Sequence, residues 1–593
     1  MKKKLHHLIL KRLNHKKKTT VVPDQIEHHS VWGFKDSFFE LTNQRALIMR
    51  GQRYALSGQE LPNIVPWIEN LMKIKLAPSK ALTPNYPPQI PASRLSSECM
   101  AALLKKFEPE QLTSDPLLRL RNGHGQTQGE MYAINYKNGI SRIPDLIFYP
   151  KNEQDIIDIV AIAKTQNLVL IPKGGGTNVT EALKCPENEL RCIVSVDMKL
   201  MNKILWVDVI NRTACIQAGA VGRHIVSELA DQGFTLGHEP DSIEFSTMGG
   251  WIATNASGMK KNKYGNIENI VLDLNIVSSQ GLITWSNHAP RESIGIDLRR
   301  MVFGSEGNLG IVTQAIVKIE KLPQMQKYAS IVFPDFECGV QFMYELSQSN
   351  QLPASVRLVD NPQFQFGQAL KPKSESVKAL KSKAEKFYVT QLKGFIVDSI
   401  CACTVVYEGT SREVEIQEKV ISAIAEKHQG IDGGSENGKR GYQLTFGIAY
   451  IRDFIMKHNI IAESFETSVP WSKVVTLCDR VKRRVMSEHL QRKLPGLPFL
   501  SCRVTQIYPT GVCIYFYLGI STEGVENPSD VFTEIEHIAR QEILDAGGSL
   551  SHHHGIGKIR QNFMPQIMSS GAYDMLGEIK KIWDPSDVFA VRN

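Results

Sequence analysis

A run of seven residues does most to restrict what this chain can fold into: Pro172, Lys173, Gly174, Gly175, Gly176, Thr177 and Asn178, directly after the apolar run LVLI. Three successive glycines carry no Cβ, so their amide N–H groups can close around an anion such as a diphosphate. Upstream, DLIFYP reads as a strand, NEQDIIDIVAIAKTQ as an amphipathic helix and LVLIP as a buried strand. Strand, helix, strand and glycine loop in that order predict an α+β domain. No GxGxxG opens a helix here and no GK[ST] follows, which disfavours a Rossmann dinucleotide fold and a P-loop hydrolase. Taken alone, a GGG turn is more often a flexible loop, and Lys173 more often an exposed surface lysine than a phosphate counter-charge.

Two more glycine-rich loops follow, GHEPDSIEFSTMGGWIATNASGMKKNKYGNIENIV over 237–271 and GSEGNLGIVT over 304–313. Their small residues let backbone amides approach a flat ring and a diphosphate, and Ser246, Thr247, Thr254 and Ser257 add short hydroxyl donors. The patterns P-x-GGG-T, S-T-x-GG and GSEG-x-LGI, in this order, resemble the FAD-binding domain of the vanillyl-alcohol-oxidase type flavoproteins. The resemblance implies noncovalent FAD held by the seven residues above and by three further groups. These are Asp241, Ser242, Ile243, Glu244, Phe245, Ser246 and Thr247; Thr254, Asn255, Ala256 and Ser257; and Glu306, Gly307, Asn308, Leu309, Gly310, Ile311 and Val312. Lys173 and Asn178 stand where neutral or smaller residues are usual in that pattern, and Asn255 where an arginine is common.

A chain of 593 residues with 42% hydrophobic and 22% charged residues makes two or three large folded units. The expected plan is a basic leader over 1–29, a helical region over 30–125 interrupted by a proline-rich connector, and an FAD-binding domain over 126–322. A substrate or cap domain over 323–550, an antiparallel sheet covered by helices, comes next; 551–593 then carries a histidine loop and a helical segment packed back on the FAD domain. Eight basic residues fall within the first 18 and the net charge is only +8, so the body is nearly neutral, which argues against nucleic acid as a partner. The leader is amphipathic and could lie on an anionic membrane, act as a targeting signal or be a basic tail; no apolar run is long enough to span a bilayer. Ten scattered cysteines without a CxxC pair predict neither a disulfide framework nor a metal site.

SLSHHHGIGKIR over 549–560 carries three adjacent histidines. An extended segment puts His552 and His554 on one face and His553 on the other, which suits one metal badly and leaves a proton-handling, phosphate-contacting loop or a structural turn. In CIYFYLGI, Tyr515 and Tyr517 share a strand face with Cys513, as reactive groups or as aromatic core. Arg357 and Arg452 sit among apolar neighbours and need an anion, either an internal carboxylate or a substrate phosphate.

These passages, with ESFETSVPW, closely resemble the alkylglycerone-phosphate synthases of ether-lipid synthesis, also called alkyldihydroxyacetonephosphate synthases. The resemblance implies that Tyr515 is the acid/base at the substrate carbon, that Arg452 binds substrate, that His552, His553 and His554 are needed for activity, and that Arg357 lies in a functional motif. It implies exchange of the acyl group of acyl-dihydroxyacetone phosphate for a long-chain fatty alcohol, through an adduct at flavin N5 without net redox. It further implies a homodimer at the peroxisomal membrane, although the terminal Val-Arg-Asn is no SKL signal. The ending FAVRN departs from the family's GNRNLL-like pattern at Val591. A 2-hydroxy-acid dehydrogenase of the same fold is the main rival, and a catalytically silent flavin-fold scaffold the other. Tyr515, Arg452 and the histidine run speak against silence, and the motifs of the second domain against the dehydrogenase.

Overall fold

The computed structural model describes residues 26–286, 288–373 and 393–590; the leader up to residue 25 and Val591 lie outside the described residues. The glycine-loop domain contains two principal sheets. One is ordered Leu112–Thr113, Leu146–Phe148, Ile193–Asp197, Val169–Lys173, and its last three strands are parallel. Parallel neighbours need a crossover, and the helix Glu153–Gln166 supplies it, burying Ile156, Ile159, Val160 and Ala163. Asn152 caps its start by accepting Asp155 N–H, and Asn167 ends it in the left-handed conformation. The glycine loop leaves the carboxyl end of Val169–Lys173, where open α/β sheets bind ligands. The second sheet is antiparallel, in the order Gly281–Ile283, Val271–Ser278, Ile311–Lys318, Thr213–Gln217, Ile204–Asp208.

The other large unit is a seven-stranded antiparallel sheet, ordered Ile431–Asp432, Met325–Phe333, Cys401–Gly409, Ser355–Val359, Phe499–Tyr508, Gly511–Ser521, Ile460–Pro470. Alternation divides its residues between two faces. Phe465, Cys502 and Phe516 point into a core shared with the helices Phe336–Ser347, Ser411–Lys427, Val474–Gln491 and Pro528–Asp545. Arg503, Tyr515 and Tyr517 instead line a cavity together with the glycine loop.

The region before residue 125 departs from the helical expectation. Phe39–Leu41, Leu47–Met49 and Glu60–Leu61 form a small antiparallel sheet. With the helix Ile64–Met72 they pack on the helices Asn361–Ala369 and Ser435–Lys457. Strands of two or three residues are too short to show a period of two in the sequence.

After the helix Ser570–Trp583 the chain returns to the parallel sheet, where Leu170 N–H donates to Val588 O at 2.8 Å and Phe589 is fully buried. Phe589→Ala should therefore cost about 3–5 kcal/mol, measured as a lowered urea midpoint of unfolding with unchanged slope.

Candidate active site

Between the two units lies a cavity of about 460 Å³, within the range of small-molecule and cofactor sites. At its polar end are Pro172, Lys173, Gly174, Gly175, Gly176, Thr177, Asn178, Asp241, Ser242, Ser246, Thr247, Thr254, Ala256, Ser257, Glu306, Gly307, Gly310, Ile311 and Val312. The glycines are there for two reasons. A Cβ on Gly174 would stand 2.3 Å from Thr247 Oγ1, and one on Gly175 2.1 Å from Phe245 O, so both are needed for close packing against the second loop. Gly176 has φ +67° and faces Arg121, whose buried Nη1 has no hydrogen-bond partner among the described residues. A guanidinium N–H without a partner beside a backbone cradle suits a diphosphate.

Several sequence-predicted residues lie off this wall. Ile243 and Phe245 are buried in packing, Glu244 accepts a hydrogen bond from Tyr54 Oη at 2.9 Å, and Asn255 is the left-handed end of the helix Met248–Thr254. Asn308 and Leu309 also lie off it, and Asn308 Nδ2 turns back to Ser305 O. Lys173 is not an exposed lysine: it is buried, with Nζ 3.0 Å from Asp197 Oδ2, so its charge is neutralised within the protein. Glu306 reaches the cavity while its carboxylate accepts the N–H groups of Ile556 and Gly557, tying the third loop to the histidine segment.

At one corner of the cavity three strands place Glu466, Tyr515 and Arg503 side by side in register. Tyr515 Oη meets His553 Nε2 at 3.0 Å and His554 Nε2 at 2.7 Å, whereas His552 turns to Tyr508 Oη at 2.6 Å. The expected alternation fails because 552–554 form a bend rather than a strand. Glu466, fully buried, causes the bend: its carboxylate accepts N–H from His552 and His554 and the hydroxyl of Ser551 at 2.7 Å. The positive charge around it, that of the Arg560 guanidinium included, outweighs its burial and holds its pKa well below the usual carboxylate range. Removal from water keeps Tyr515 well above 10 and His554 well below 6.5, so the pair is a neutral phenol and a neutral imidazole. Glu466, Cys513, His552 and His553 bring possible metal-ligand atoms within 4.8 Å of one another, yet the Glu466 oxygens are already occupied by N–H and O–H donors.

The arginines divide their tasks. Arg452, on the helix Ser435–Lys457, binds Gln126 O and Oε1 and pairs with Asp453 at 3.0 Å. Arg357 donates to Thr445 Oγ1 at 2.7 Å and stands 3.6 Å from Asp241 Oδ1. Arg503, which sequence reasoning missed, is 3.1 Å from Asp241 Oδ2, with its guanidinium 5.0 Å from the Tyr515 ring. Asp241 thus serves two buried arginines and leaves one positive charge in excess. Both partners come from distant segments; the signal available was only a charged residue in the apolar run FLSCRVTQIY. Away from this corner the cavity becomes apolar, with Trp32, Trp67, Ile68, Phe366, Ile451, Ile455, Phe499 and Leu518 on its wall.

Known families and proteins match this chain along most of its length. Residues 144–287 match the family described as FAD binding domain, and 322–592 that of FAD linked oxidases, C-terminal domain. An alkyldihydroxyacetonephosphate synthase of Caenorhabditis elegans is 44% identical over 96% of this chain and 95% of its own. The chain belongs to the alkyldihydroxyacetonephosphate synthase family. A solved alkyldihydroxyacetonephosphate synthase superposes with TM-score 0.83 at 28% identity, covering 97% of this chain and 99% of that one. p-Cresol methylhydroxylase, at 12% identity and TM-score 0.62 over 85% of this chain and 98% of that one, shares the α+β fold. FAD is the cofactor, as for the family.

Two outcomes follow from the electrostatics. Glu466→Gln turns an NH2 toward N–H donors and should lower the stability of the holoprotein by about 1–3 kcal/mol, read from its thermal melting. His124, His238 and His552 are each held down to about 3, chiefly by removal from water. Their neutral forms favour the fold fully above the unfolded value near 6.5, and stability is lost as pH falls below it. His238→Leu should recover about 2 kcal/mol of the loss between pH 7 and pH 5, measured by urea unfolding at the two pH values.

Proposed function

We propose that this chain exchanges the acyl group of acyl-dihydroxyacetone phosphate for a long-chain fatty alcohol, releasing a fatty acid without net redox. The observation that carries this reading is the position of Tyr515: it bonds His553 and His554 on a cavity wall that joins a glycine-lined cradle, an excess guanidinium charge and an apolar arm.

In this reading the backbone of 174–178, with Ser246, Thr247, Ser257 and Gly307, holds FAD, and Arg121 faces its diphosphate. When bound, FAD supplies an electrophile at the substrate carbon. Arg357 and Arg503 together hold the substrate phosphate, for which the guanidinium fork is well shaped. Arg452 braces the 126 loop against the helix Ser435–Lys457 at the cavity edge. Proton removal beside a ketone needs a positioned base. Tyr515 gives its one O–H to His553 Nε2 and accepts Nε2–H from His554; as its hydrogen passes to His553, the phenol oxygen takes the proton at C1, and the reverse shift returns it. The apolar arm receives the fatty chains.

Peroxisomal placement, peripheral contact with its membrane and a homodimer belong to the same proposal, on the strength of family membership. Among the described residues no helix is long and apolar enough to cross a membrane.

The test is to supply purified holoprotein with acyl-dihydroxyacetone phosphate and labelled fatty alcohol. Labelled alkyl product is expected, and Tyr515→Phe should lower its rate by about 100-fold or more while the flavin absorbance stays. Bound FAD with no alkyl product from the natural chain would sink the reading, and flavin reduction by a 2-hydroxy acid would favour the dehydrogenase.

A further inference from the structure

The exchange releases a proton that must leave a closed site. The alcohol O–H bond and the C1–O bond to the acyl group break, a C1–O bond to the alkyl chain forms, and the acyl group departs with its electron pair as a carboxylate. At neutral pH one proton per turnover therefore goes to solvent. Tyr515, where the reading above puts proton transfer, is only 7% exposed.

A hydrogen-bonded line runs from that residue toward the surface. Tyr515 Oη meets His553 Nε2 at 3.0 Å, His553 Nδ1 meets His552 Nδ1 at 2.7 Å, and His552 Nε2 meets Tyr508 Oη at 2.6 Å. Tyr508 ends its strand at the hairpin turn, next to exposed Pro509 and Thr510, and is itself partly exposed. We propose that His552 and Tyr508 are the outer half of a proton relay from Tyr515 to solvent.

Each group in the line can both donate and accept. With Tyr515 donating to His553 Nε2, His553 Nδ1–H to His552 Nδ1, and His552 Nε2–H to Tyr508 Oη, every imidazole carries one hydrogen. In this structure the Tyr508 O–H donates to Gln506 Oε1 at 3.2 Å; a concerted shift with that hydroxyl turned outward delivers its proton to water or a buffer base and leaves Tyr515 ready to accept the next. His554 is a branch that ends inside, since its Nδ1 has no hydrogen-bond partner among the described residues. The charges around the line include those of Glu466, Asp241, Arg503, Arg560, Lys261 and Glu268. Removal from water keeps His552 and His553 below their ordinary value, hence neutral and able to pass a proton on. Lys261 Nζ sits 3.5 Å from the centroid of the Tyr508 ring, and Asn266 Nδ2 donates to its hydroxyl at 3.3 Å. Both fix the phenol facing His552.

The inference rests on the exchange reading, and the experiment separates the two. Alkyl product is measured for the natural holoprotein and for Tyr508→Phe, first in dilute buffer and then with rising imidazole. Phe keeps the ring under Lys261 and removes only the hydroxyl. The expected result is a kcat lowered by about 100-fold in dilute buffer, the lower end of what positioned proton transfer contributes. KM and flavin absorbance stay unchanged, and imidazole restores most of the rate. If Tyr508→Phe fails to fold, His552→Asn takes its place with the same expectations. Turnover equal to the natural chain in dilute buffer would overturn the relay, the proton then leaving with the fatty acid, and so would a loss that no imidazole concentration relieves. No alkyl product from the natural holoprotein would instead refute the exchange reading.

Discussion

The arrangement around Tyr515 depends on a carboxylate, Glu466, with no exposure to solvent. Burying an ionised Glu466 is costly unless donors surround it, and here the N–H groups of His552 and His554 and the Ser551 hydroxyl do so. The same bonds bend the 551–554 segment, and that bend turns two imidazoles onto one phenol. Without the carboxylate those N–H groups would be unpaired in the interior, and an extended segment would send His553 away from its neighbours.

Three attachments fasten this C-terminal segment between the two large units. Glu466 holds it to the seven-stranded sheet, Glu306 binds the N–H groups of Ile556 and Gly557 from the third glycine-rich loop, and Leu170 N–H donates to Val588 at the parallel sheet. The glycine-lined loop and the phenol thus keep a fixed relation although they belong to different sheets. Asp241 adds a fourth link, since its two oxygens face Arg357 and Arg503 across the cavity. One carboxylate between two guanidinium groups satisfies neither fully and leaves positive charge in excess on the cavity wall.

Much of this was legible in the residue pattern. The glycine triplet after a buried strand announced a cradle, and in the fold a Cβ on Gly174 would stand 2.3 Å from Thr247 Oγ1 and one on Gly175 2.1 Å from Phe245 O. The alternation in CIYFYLGI correctly grouped Tyr515 with Tyr517 on the cavity face. Lys173 was less legible: a lysine beside glycines looks the same whether it meets solvent or, as here, a buried aspartate on the neighbouring parallel strand. Ile243 and Phe245, in turn, follow Asp241 and Ser242 in sequence but pack behind the wall, since a turn does not present every residue to one side.

By itself the sequence determined the α+β fold, the cofactor class and the family, because glycine spacing, strand period and long motifs are local and survive in one dimension. Tertiary structure alone decided which histidines meet Tyr515, that Glu466 bends their segment, and that Arg503 shares Asp241 with Arg357. Those relations join residues dozens to hundreds of positions apart, and their energies come from desolvation and hydrogen bonding that exist only once the sheets close over the cavity.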